Sequence, residues 1–145
     1  MGIFLGKLAR KMARAIPPRT VLAGAQPAAL FFHGVEHRTL NGHIQTNHHE
    51  AAVFRRILAA LARDFDVLPL REIDAVLAAP QKHARSVFLM SDDGYANTAA
   101  IAAGILEELK LPWTLFVSTR HIDAPAPNPI FLARLFVFHA PPGTY

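Results

Sequence analysis

Asp92 and Asp93 stand side by side, with Gly94 after them and the apolar run Ser86 to Ser91 (SVFLMS) directly before them. Two adjacent carboxylates repel one another and lose solvation at the end of a buried strand, so something must stabilise them. A divalent cation would do so. One Asp then ligates the ion while the other stays free as a general base towards water. Gly94 lets the backbone turn sharply and keeps such a site open. The same residues also suit a strand-ending Asp-Gly turn with a solvated neighbour. Chemistry alone leaves the two readings open.

His33 falls at the end of another apolar run, Ala28 to Val35 (AALFFHGV), and so on the same rim as the acid pair. Taken alone it reads as a hydrogen-bonded histidine at a strand end. His37 lies four residues on but in a loop, so the two lack the helical i,i+4 geometry of a metal pair. His43, His48 and His49 read as a solvated polar segment, and His83, His121 and His139 have no partner at recognisable spacing. Other chemistries find little to work with. The chain has no cysteine, hence no thiolate metal site, thiol nucleophile or disulfide framework. Its only serines are Ser86, Ser91 and Ser118, none in a Gly-x-Ser-x-Gly elbow, and there is no glycine-rich phosphate loop.

Elements that must position the acid pair follow from the hydrophobic pattern. Buried strands are expected over 28–35, 66–70 (DVLPL), 86–91 and 113–118 (WTLFVS). Between them, Asn47 and Glu50 form a capping-box-like pair ahead of a helix whose one face holds Phe54, Ile57, Leu58 and Leu61. Short helices are expected over 71–79, ended by Pro80, and over 98–110, with Ile101, Ile105 and Leu109 on one face. This alternation implies a parallel α/β sheet with covering helices. In such sheets ligands bind beyond the carboxyl ends of the strands, where Asp92 and Asp93 fall.

The 145 residues suit one domain, and 52% apolar content rules out intrinsic disorder. Fifteen basic residues face 11 acidic ones, but five of the basic ones and no acid lie in residues 1–20. The body therefore carries 10 against 11, a net −1, which argues against a nucleic-acid partner. Residues 1–20 are read as a basic amphipathic helix (3–16) ended by Pro17 and Pro18, docked on its own domain in preference to a membrane surface. No stretch reaches the roughly 18 apolar residues of a membrane span, and the N-terminus is a poor signal peptide, so the cytoplasm is the default compartment. Residues 125–145 hold five of the 11 prolines around the apolar segment Phe131 to Phe138.

In order along residues 28–122, these pieces resemble the N-terminal part of the polysaccharide deacetylases (carbohydrate esterase family 4, the NodB-homology domain). Phe32-His33-Gly34-Val35 is similar to the family's Tyr-His-Arg-Val-like strand end. Phe54, Leu58 and Leu61 follow on a helix, then Val67-Leu68-Pro69-Leu70. The signature Thr-Phe-Asp-Asp-Gly-Tyr stands as Met90-Ser91-Asp92-Asp93-Gly94-Tyr95, and Trp113 to Val117 resembles the next strand. The resemblance implies the first half of a distorted (β/α) barrel over residues 21–145. It implies a metal-dependent hydrolase that removes acetyl groups from N-acetylated polysaccharide. By that carry-over Asp92 is the general base, Asp93 ligates a divalent metal, usually zinc, and His33 and Tyr95 line the carbohydrate cleft. Met90 and Ser91 depart from the signature. The family's downstream His-x-x-x-His ligands are missing, since only His121 and His139 follow Asp93. A full barrel takes roughly 250 residues, so the chain is expected to be a partial domain that does not deacetylate alone. The alternative is a degenerate, non-catalytic domain that binds carbohydrate or a partner. Mg²⁺-dependent phosphoryl transfer ranks third, because the Asp-x-Asp pattern fails at Gly94.

Overall fold

The computed structural model describes residues 26–120 and 127–139, with Pro141 and Gly143. The helix expected over 3–16 and His121 lie outside the described residues. Among the described residues six strands appear: β1 (Ala28–Phe32), β2 (Gly34–Glu36), β3 (His48–Glu50), β4 (Asp66–Leu68), β5 (Ser86–Ser91) and β6 (Thr114–Leu115). The four principal helices are α1 (Ala51–Asp64), α2 (Ile73–Ala78), α3 (Ala103–Glu108) and α4 (Pro129–His139).

β5 is the centre of the sheet, and all six of its residues are buried. It pairs in parallel with β1 from Ala28↔Val87 to Phe32↔Ser91. Its other edge takes β4 beside Ser86–Phe88 and then β6 beside Met90 and Ser91. A barrel of chain-neighbour strands would seat β4 between β1 and β5; here β1 and β5 pair directly. The result is a parallel α/β sheet. Successive residues of a strand face opposite sides, so β5 needs cover on both. Val87 and Leu89 pack with Phe54, Leu58 and Leu61 of α1 and with Ile105 and Leu106 of α3. Phe88 and Met90 face Val76 of α2 with Leu68, Leu70 and Ile73.

Several local expectations are corrected. The strand expected over 28–35 breaks at His33 into β1 and β2, and β1 is only half-buried, with Phe31 59% exposed. No capping box forms: α1 starts at Ala51, and its N-cap Glu50 makes no side-chain cap bond. Glu50 instead accepts from the Thr39 amide, and Asn47 accepts from Arg134. Residues 48–50 are drawn into a parallel pairing of β3 with β2. Ile57 lies off the buried face of α1, at 39% exposure. The segment 98–110 begins as a π-helical turn over Thr98–Ala102. It ends in a Schellman-type cap with Lys110 left-handed at φ 54°. There Leu111 N–H reaches Leu106 O and Lys110 N–H reaches Glu107 O. The strand expected over 113–118 is reduced to the two residues of β6.

α4 accounts for the apolar segment near the C-terminus. Asn128 caps it through the Ile130 amide, and Pro129 occupies the first helical position. Arg134 fastens it to the loop before β3 through Ile44 O and Asn47 Oδ1. His43 stacks on Phe138 with ring centroids 4.6 Å apart. Much of its apolar surface is exposed. Among the described residues no helix is long and apolar enough to cross a membrane.

Candidate functional site

The acid pair lies where the β1–β5 ladder ends. Asp92 N–H makes one more bond to Phe32 O, and Phe116 N–H bonds Ser91 O on the opposite edge. Beyond that bond the chain turns over. Asp93 has φ 71° and Gly94 φ 68°, two successive left-handed residues. The left-handed region costs an ordinary L-residue about 1–2 kcal/mol, and Asp and Gly are among those that visit it. Gly94 is also needed for space, because a Cβ there would sit 2.8 Å from Val117 Cγ1.

His33 occupies the break between β1 and β2. Its Nε2 lies 4.0 Å from Asp93 Oδ2, both side chains about a third exposed. That is too long for a hydrogen bond. The His33 carbonyl is fixed from below: Thr98 Oγ1 donates to it at 2.7 Å and Ser91 Oγ at 3.3 Å. Ser91 and Thr98 are fully buried. The strand break and the acid loop are thus tied to one carbonyl oxygen.

A second polar group forms alongside. Asn97 Nδ2 donates to Glu36 Oε1 at 2.6 Å, and His48 Nδ1 lies 3.2 Å from the same oxygen. The Tyr95 ring meets the edge of His48, with centroids 5.0 Å apart. His48 reaches this corner because Gly34 leaves room: a Cβ on Gly34 would lie 2.6 Å from the imidazole. His48 is therefore a packed, partnered residue at 10% side-chain exposure and not part of a solvated segment.

Of the residues singled out in the sequence, the structure brings Asp93 and His33 together, with Asp92 one residue away at the strand end. Tyr95 follows on the same loop but presents its ring to His48. His139 sits apart, beside the Asn41 amide, and His83 meets Ser86. Glu36, His48 and Asn97 were not anticipated as a group, nor was the pair of hydroxyls on His33 O. Among the described residues no three His, Asp or Glu side chains gather as a metal-holding set.

The fold has a solved counterpart. A de-N-acetylase from Aggregatibacter actinomycetemcomitans is similar, with a TM-score of 0.54 and 19% sequence identity, covering 72% of this chain and 43% of its own. At that identity the likeness is one of fold, and the chain spans less than half the length of that protein. No protein-family model matches the chain. No curated protein matches it.

Proposed function

We propose that the chain carries the strand-end acid site of a deacetylase-type domain acting on N-acetylated polysaccharide, and that these 145 residues do not deacetylate alone. The observation that supports this best is Asp92-Asp93-Gly94 at the carboxyl end of the central parallel strand, with Asp93 in left-handed backbone beside His33. Ligands of open parallel sheets bind beyond those ends. Strained backbone is a common mark of functional positions. The fold likeness adds support of the same kind. In this reading Asp92 takes the proton of water as it adds to the acetyl carbonyl. That proton passes to the amide nitrogen as the carbon–nitrogen bond breaks, releasing acetate and leaving a sugar amine. His33 and Tyr95 line the cleft.

The zinc expected from the family resemblance needs a fuller set of ligands. Catalytic zinc sites draw about three from the protein, whereas this reading offers Asp93, and the described residues bring no three candidate ligands together. They do not by themselves fit a catalytic metal. That shortfall favours, as a second reading, a non-catalytic domain that binds carbohydrate or a partner. The test is acetate release from N-acetylated chito-oligosaccharide by the 145-residue chain, with and without added Zn²⁺. The expected result is release no greater than in buffer. Robust release that disappears in Asp92→Asn overturns the claim that the chain is insufficient.

A further inference from the structure

A cavity of about 450 Å³ opens two residues beyond Asp93 in the chain, lined by Tyr95, Ala96 and Asn97 on one side and by Phe131 and Leu135 of α4 on another. Its volume lies within the usual range of small-molecule sites. Leu40 and Ile44 complete the apolar wall, and Glu36 and His48 join Asn97 in one polar corner. Glu36 is the one formally charged group among the lining Asp, Glu, Lys and Arg residues. The Asn97 amide group donates to Glu36 Oε1 and also approaches His48 Nδ1 at 3.4 Å, the His48 ring approaches the same carboxylate oxygen, and Asn41 and Gln45 add side-chain amides to the lining.

These features select the chemistry of an occupant. Glu36 repels an anion, and a wholly apolar ligand leaves its carboxylate without a counter-charge. A protonated amine on a compact, partly apolar body supplies both N–H donors and positive charge, while the Tyr95 and Phe131 rings and the aliphatic wall take its body. We infer that this cavity binds a protonated primary amine. Two sources share that chemistry: a glucosamine unit, whose choice rests on the proposed function because deacetylation creates that amine, and a small non-sugar amine. The site itself rests on the cavity's own residues.

The experiment is an NMR titration of the isotope-labelled 145-residue chain with a glucosamine tetramer, its N-acetylated form and benzylamine. The amides of Gln45, Ala96 and Leu135 are expected to shift with an amine and not with the N-acetylated tetramer. Glu36→Gln keeps an oxygen for Asn97 and His48 but loses the charge, so it weakens amine binding at least about tenfold. Leu135→Trp, at a partly exposed position of α4, fills the cavity and abolishes binding. Absence of shifts with both amines overturns the inference, as does unchanged affinity in both variants or equal response to the N-acetylated tetramer. Binding of benzylamine but not of the glucosamine tetramer supports the amine site and overturns its sugar source. Binding is read without turnover, so lack of deacetylase activity leaves the answer intact.

Discussion

Replacing Thr98 by Val removes one hydroxyl from beneath the candidate site and nearly preserves shape. Thr98 Oγ1 donates to His33 O at 2.7 Å, a short O–H···O bond, while the second donor, Ser91 Oγ, is at 3.3 Å, beyond the usual range. A buried hydrogen bond nets about 0.5–1.5 kcal/mol. Thr98→Val is therefore expected near the upper end, about 1–1.5 kcal/mol, and Ser91→Ala near about 0.5 kcal/mol. Either single change leaves the carbonyl one donor. The double variant leaves it none, and an unsatisfied buried group costs about 1–3 kcal/mol, so the double loss should exceed the sum of the singles by about 1 kcal/mol. Urea unfolding followed by circular dichroism measures all four corners of the cycle, provided the slope with denaturant is unchanged. In Thr98→Val the Asp93 and His33 amide resonances should also move. Strict additivity, or a larger loss for Ser91→Ala than for Thr98→Val, refutes the reasoning.

Three further outcomes are expected. Gly34→Ala drives a Cβ into the His48 ring, which costs about 1–3 kcal/mol by overpacking and separates His48 from Glu36, read by urea unfolding and by the His48 ring shifts. Gly94→Ala adds a left-handed backbone cost of about 1–2 kcal/mol to a clash with Val117, so adding Val117→Ala should recover part of the stability and never all of it. The Arg55 guanidinium, first through its 2.6 Å hydrogen bond and then through its charge, holds the Glu108 carboxyl below its usual range. A lowered folded pKa contributes stability above the unfolded value and loses it as pH falls through the folded one. Glu108→Gln should thus be slightly less stable at neutral pH, with the gap closing in acid. The pair is exposed, so that gap is small and shrinks with added salt.

The parts of the site legible in the sequence are those carried by long, local signals. Val87 to Met90 are four consecutive apolar residues, which matches a strand covered on both faces, and the acid pair follows Ser91 directly. Phe54, Leu58 and Leu61 have helical spacing and are buried as expected. The polar corner had no such signal. Glu36 and His48 meet through two three-residue strands, too short for periodicity to register, and Asn97 joins from the helical turn just before Thr98. One clue was present: a glycine inside an apolar run often marks a close approach, and Gly34 makes room for the His48 ring. The capping box failed because Glu50 and Asn47 found tertiary partners in the Thr39 amide and Arg134. Local capping chemistry lost to contacts that no window along the chain contains.

Adding N-acetylated chito-oligosaccharide to the isotope-labelled chain and following its amide resonances asks where carbohydrate meets the fold. The acid-loop reading predicts shifts centred on His33, Asp93 and Gly94, at the carboxyl end of the central strand. Shifts confined to other surfaces, or none at saturating sugar, would contradict it.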